Sequence, residues 1–272
     1  MTAFHWRRLP TTSLEALTTH RFPAPHGFTG RFRTRGPASL PFGDRATRLG
    51  DLAALARAAK ARTLREMRQV HAARVLVVHA GEPPWPTPPE ADGVVVTTPG
   101  AGLVIKTADC VPVLLHDPET GAVGGAHAGW RGTAAGVTGA TIRALAEATG
   151  SNPARFTAAI GPAIGPCCYE VGPDLLTAFE AGGHDPAPFS NPGPRGRPHL
   201  DLLRANRVQL EAARLRPGNI LVANRCTRCD PAFHSYRRAG APTGSNFAYA
   251  IASDGPLRSR SPRERRPPSR TG

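Results

Sequence analysis

Between residues 93 and 126 the chain runs through four short apolar segments, at 93–97, 103–107, 111–115 and 122–126. Val, Ile and Leu dominate them, and each is too short to make a stable helix. Pro99, Gly100, Pro118 and Gly121 break the spaces between them. Short β-rich runs punctuated by Gly and Pro predict strands of one sheet system. Around this block the pattern changes. Residues 51–68 are rich in Ala, Leu and Arg without Gly or Pro, which predicts a helix. Helices are also expected at 132–148, 173–181 and 201–214, and strands at 74–78, 157–160 and 220–223. Mixed short strands and helices predict a single α/β domain over residues 20–252, a layered sandwich of mixed sheets flanked by helices.

The two ends have a different composition. Residues 1–19 read as a poorly ordered arm. Residues 253–272 hold six Arg, Asp254, Glu264 and four Pro, with Leu257 their only large apolar side chain. Such a segment buries too little to offset the ordering cost of about 1–2 kcal/mol per residue, so a disordered tail is expected. The net charge of +14 would suit a nucleic-acid binder, but residues 1–50 carry +6 of it and residues 253–272 carry +4. Only Lys60 and Lys106 are lysines, and the central region is close to balanced, which argues against a dedicated nucleic-acid surface. No run is long enough to span a bilayer, and the N-terminus lacks the pattern of a secretory signal, so a cytoplasmic location is expected.

Three segments each carry one good metal ligand: Gln69-Val70-His71, Thr107-Ala108-Asp109-Cys110 and His127-Ala128-Gly129-Trp130-Arg131-Gly132. Two imidazoles and a thiolate suit a zinc ion with an open position, where a bound water titrates near about 7. Cys110 also has catalytic significance if it is not metal-bound. Asp109 reads either as a base beside the metal or as a carboxylate that fixes a ligand histidine. Arg131, just before a predicted helix, reads either as a phosphate contact or as a brace for the His127 loop. Arg237, Arg238 and Asn246 fall in a polar stretch and are candidates for substrate contact or for plain surface roles. His79, His116, His184 and His234 match no ligand pattern.

The other cysteines are Cys167, Cys168, Cys226 and Cys229. An odd total of five, without a secretion signal, argues against a disulfide framework. Adjacent side chains in a strand point opposite ways, so a four-cysteine metal site is not expected and these four read as buried thiols.

These motifs, with the long run Ile160-Gly161-Pro162-Ala163-Ile164-Gly165-Pro166-Cys167-Cys168-Tyr169-Glu170-Val171-Gly172, resemble those of the YfiH-type family. So do Asp201-Leu202, Asn206, Gln209-Leu210, Cys226-Thr227 and Ser235-Tyr236-Arg237-Arg238. That family was formerly labelled multicopper polyphenol oxidase or laccase-domain, and its members are described as purine nucleoside phosphorylases. The resemblance implies a YfiH-like sandwich with His71, Cys110 and His127 as zinc ligands. It also implies phosphorolysis of adenosine, inosine and 5'-methylthioadenosine, and deamination of adenosine. Purine nucleosides and phosphate would be its partners, and the oligomeric state stays open between monomer and homodimer.

The chain departs from the family pattern at Ala72, His234, Ala239 and Ser245, and across Thr29-Gly30-Arg31-Phe32-Arg33-Thr34-Arg35-Gly36. The last departure bears on substrate preference. Ten His without one His-x-His pair argue against true laccase chemistry, although copper is an alternative occupant of a Cys/His set. The remaining alternatives are an amidase built on Cys110 and His127, editing peptidoglycan precursors, and a binding module without activity.

Overall fold

The computed structural model describes residues 4–9, 15–30, 45–193, 196–241 and 243–255. The C-terminal tail beyond 255 and most of the divergent segment after Thr29 lie outside the described residues.

Two six-stranded sheets dominate. The first has the order β1 (His5–Arg8), β2 (Glu15–Thr18), β3 (His26–Thr29), β14 (Asn246–Ile251), β7 (Ala101–Thr107), β4 (Thr63–Arg65). The second has the order β13 (Ile220–Val222), β10 (Thr157–Ile160), β8 (Val111–His116), β9 (Val123–Ala128), β6 (Gly93–Val96), β5 (Val75–Val78). A separate hairpin pairs β11 (Ser190–Pro192) with β12 (Pro198–Leu200).

Strand periodicity sorts the side chains into layers. Val94, Val96, Leu103, Ile105 and Leu114 share one buried cluster with Phe28, Ala248 and Ala250, which fills the space between the sheets. Their neighbours Val95, Val113 and Leu115 face the other way, onto Ile142, Leu145 and Leu210. Those three residues come from α3 (Val137–Thr149) and α5 (Leu202–Ala212). On the far side, Val104, Phe247 and Tyr249 meet Leu55 and Ala58 of α1 (Arg45–Ala59). The architecture is therefore an α/β sandwich with two sheets at its centre and helices outside both, as the alternation of short runs predicts.

Several boundaries differ from the sequence reading. Residues 15–18 are not a peripheral arm: β2 pairs with β3, and Ala16 and Leu17 are fully buried. The helix expected over 51–68 ends at Ala59, because Lys60 takes a left-handed φ of 57° and the chain then enters β4. The helix expected over 132–148 is two helices, α2 (Trp130–Ala134) and α3, separated by Gly136 at φ 77°. That break turns α2 into a short cap over the end of β9. Asn206 and Gln209 of α5 hold it there: Asn206 Nδ2 donates to Thr133 Oγ1 at 3.2 Å, and Gln209 Nε2 donates to the Thr133 carbonyl at 2.6 Å. The remaining helices are α4 (Pro173–Ala181) and the single turn α6 (Tyr236–Ala239). No helix among the described residues is long and apolar enough to cross a membrane.

Candidate metal centre

The chain passes from the first sheet to the second through Ala108, Asp109 and Cys110, the connector between β7 and β8. His127 projects from β9, next to β8 in the second sheet, and His71 comes from the loop before β5. These three side chains converge. Their ligand atoms lie within 4.8 Å of one another, and Cys110 Sγ stands 3.9 Å from His71 Nε2. A tetrahedral zinc with bonds of about 2.0 Å to nitrogen and 2.3 Å to sulfur separates such atoms by about 3.5 Å. The donor set fits zinc, and it leaves a fourth position open toward a cavity.

Gly129 makes the convergence sterically feasible. A Cβ there would sit 2.9 Å from Cys110 Sγ, closer than real Cβ atoms approach, and a tight 3.0 Å from His71 Cδ2. Gln69 locks its loop to the end of β7, donating from Nε2 to the Lys106 carbonyl at 2.7 Å and accepting the Lys106 amide at 2.9 Å.

Asp92, which the sequence reading did not single out, organises the ligands. It is fully buried. Its Oδ1 accepts the His71 amide at 2.9 Å and His127 Nδ1–H at 2.8 Å. Its Oδ2 accepts the amides of Val70 and Ala72 at 3.1 and 2.8 Å. These bonds hold His71 at a left-handed φ of 61° and commit His127 Nδ1 to donation. His127 Nε2 is thereby left as the ring nitrogen available to a metal. The only sequence sign of this role was an acidic residue just before β6, a position that ordinarily reads as a turn.

The metal-free electrostatics follow from this packing. Burial opposes ionisation of Cys110, but the charge and hydrogen bonds of His127 and His71 outweigh it and draw the thiol down to about 6. Burial likewise opposes charging of His127, yet Cys110 and Asp92 push it up to about 9. The site therefore stabilises a thiolate, the form in which cysteine binds metal.

Asp109 lies in the cavity wall with both carboxylate oxygens engaged. It takes φ 104°, Oδ1 accepts Thr227 Oγ1–H at 2.6 Å, and Oδ2 accepts the Arg237 amide at 2.6 Å. Arg131 lies in the cavity wall with its guanidinium 4.3 Å from the Trp130 ring centroid. The structure does not bring Arg238 or Asn246 into that wall. The Arg238 guanidinium donates to the carbonyls of Thr227, Arg228, Asp230 and Phe233, tying a loop together. Asn246 is buried in β14, bridging the backbone of His234 at 2.8 and 2.9 Å. Arg237 does reach the cavity, beside Tyr169 and Tyr236.

The cavity beside these three side chains has a volume of about 1250 Å³; Arg68 and Lys106 in its wall pair with Glu90 and Glu66, while Arg74, Arg131 and Arg237 add further positive charge. A nucleoside-sized molecule fits within it.

Comparison with known proteins agrees with this architecture. A purine nucleoside phosphorylase of Deinococcus radiodurans is 40% identical over 248 residues, covering 86% of this chain and 92% of that protein. A protein named adenosine deaminase RL5, from an unknown prokaryotic organism, is 36% identical over 159 residues, covering 57% and 60% of the two chains. The crystal structure of Bacillus licheniformis YfiH superposes with a TM-score of 0.79 at 28% identity, covering 91% of this chain and 99% of that one. Residues 43–253 match the family described as multi-copper polyphenol oxidoreductase laccase, and the chain belongs to that family.

Proposed function

We propose that this protein is a zinc-dependent purine nucleoside phosphorylase acting on adenosine, inosine and 5'-methylthioadenosine, with adenosine deaminase activity. The observation that carries the proposal is the convergence of His71, Cys110 and His127 beside a cavity roomy enough for a nucleoside and a phosphate, with Arg74, Arg131 and Arg237 in its wall. Bound zinc would supply Lewis acidity and an activated water next to the substrate. Asp92 would keep both imidazoles oriented through turnover, and Asp109 would hold the Cys110 connector against Thr227 and Arg237.

In phosphorolysis a phosphate oxygen bonds to C1' of the ribose while the glycosidic C–N bond breaks and the purine nitrogen takes up a proton. Arg131 would hold the phosphate for that displacement. Tyr236, 58% exposed at the lip of the cavity, offers a face for the purine ring. In deamination water adds at C6 of adenine and ammonia leaves.

Incubation of metal-quantified protein with adenosine tests the reading. Adenine and ribose 1-phosphate should form with phosphate present, and inosine should form without it. Cys110→Ala should lose one zinc equivalent and both activities. Intact nucleosides in both incubations would overturn it.

One observation favours a second reading. Cys110, His127 and Asp92 also stand in the order of nucleophile, base and orienting carboxylate, as a thiol amidase requires. Cleavage of an amide by zinc-free protein, abolished by reloading zinc, would select that reading over the first.

A further inference from the structure

Outside the cavity the fold assembles a second sulfur cluster that the activity above does not use. The Sγ atoms of Cys167, Cys168, Cys226 and Cys229 all lie within 4.8 Å of one another. Cys229 Sγ is 3.7 Å from Cys167 Sγ and 3.3 Å from Cys168 Sγ, and all four are free thiols. This corrects the reading of four separate buried thiols: Cys167 and Cys229 are exposed, and Cys168 and Cys226 half-buried. The rule that adjacent side chains diverge belongs to extended strands. Pro166 to Cys168 form a tight turn instead, closed by the Cys168 amide donating to the Gly165 carbonyl at 3.0 Å, and both thiols reach the same side.

We propose that these four cysteines bind a second zinc ion whose role is structural. A tetrahedral ion with bonds of about 2.3 Å to sulfur separates its ligands by about 3.8 Å, close to the spacings seen. Four protein ligands close the coordination sphere, unlike the three at the cavity.

Two further features suit thiolates. The amide of Gly165 donates to Cys226 Sγ at 3.3 Å. A thiol is a poor acceptor, whereas a thiolate accepts an amide readily. Zinc with four thiolates carries a net charge of −2, the four thiol protons passing to solvent. Basic groups outnumber acidic ones beside that charge: Arg228 Nη1 stands 3.4 Å from Cys168 Sγ, and Arg197 and Arg237 face the same hollow with Glu170.

The ion would clamp two loops that build the catalytic cavity. One carries Ile164 and Tyr169, both in the cavity wall. The other carries Thr227, whose hydroxyl donates to Asp109 beside Cys110. The second site is thus a brace behind the first.

The two sites are separable by experiment. Full-length protein purified with limiting chelator should carry two zinc equivalents by elemental analysis. Cys226→Ser/Cys229→Ser should carry one and Cys110→Ala one, so loss at either site is distinguishable from loss at the other. Should the double variant fail to fold, the native protein still decides the question. Titration of the native protein with a mercurial reagent should release two zinc ions as five thiols react, and cobalt reconstitution should add the charge-transfer absorbance of a four-thiolate site. One zinc equivalent in the native protein that Cys110→Ala abolishes, undiminished zinc in the folded double variant, or a disulfide among these cysteines in freshly purified protein would overturn the proposal.

Discussion

Replacing Asp92 with Asn tests whether this carboxylate organises the metal centre. The change conserves volume and removes one acceptor oxygen. Asp92 receives four donors, two on each oxygen, in a fully buried position. An amide offers one oxygen, so whichever way it flips, an NH₂ group faces two N–H donors. Each buried donor left unmatched costs about 1–3 kcal/mol, giving roughly 2–6 kcal/mol for the pair. In a domain of this size about 1 kcal/mol moves Tm by about 2–4 °C, so a fall on the order of 10 °C is expected. Loss of a carboxylate behind a ligand histidine should also weaken zinc binding by about 10–100-fold.

The pH dependence sharpens this test. Burial raises the Asp92 carboxyl, but the bonds from His127, Ala72 and Val70 prevail and hold it below its ordinary 3.8. Its contribution is therefore present above pH 3.8 and is lost as pH falls through the folded-state value. Calorimetry should show a wide gap between Asp92→Asn and the native protein at pH 7, narrowing in strong acid. An Asn variant that melts within 2 °C of the native protein and competes equally against a zinc chelator would refute the argument.

Three further outcomes follow from the same geometry. Gly129→Ala drives a methyl group against Cys110 Sγ and His71 Cδ2, and should cost about 1–3 kcal/mol with loss of zinc at that site, read by calorimetry and elemental analysis. Arg131→Ala removes a charge-assisted contact worth about 1.5–3 kcal/mol, so the KM for phosphate should rise about 10–150-fold while phosphate-free deamination is spared; equal loss of both would assign Arg131 to bracing. His26 is held near 4, chiefly by burial, with its Nε2 accepting the Thr19 amide. As pH falls from 6.5 toward 4 the unfolded chain takes up a proton that the folded chain refuses. Stability should drop by up to about 3 kcal/mol over that window, and His26→Gln should flatten the melting curve there.

The central strands and helices are legible because their periodicity is local. Val94, Val95 and Val96 alternate between two cores, and the flanking breaks mark their ends. What was illegible depends on distant partners. Residues 15–18 are too short to declare a strand, and their burial comes from β3, itself paired with β14 more than 200 residues later. Arg238 falls in a family motif and Asn246 in a polar stretch, yet neither sign says which way a side chain points. Both serve the backbone of the loop that carries Thr227 and Arg237 to Asp109. Asp92 escaped notice for the converse reason: its four donors lie 20 to 35 residues away, and an acidic residue before a strand is commonplace.

The position of the site has a topological cause. β7 belongs to one sheet and β8 to the other, so the chain must cross the interlayer gap within Ala108, Asp109 and Cys110. So short a crossing leaves no room for relaxed geometry, and Asp109 adopts φ 104°. A strained residue persists only where its surroundings over-determine it. Here the Asp109 carbonyl accepts the Ile164 amide at 2.9 Å, while its carboxylate takes Thr227 and the Arg237 amide. Ile164 and Thr227 belong to the two loops that the four cysteines bring together. The strain that presents Cys110 to His71 and His127 is therefore restrained from the far side by the sulfur cluster, and loosening that cluster should relax the crossing before it disturbs either sheet.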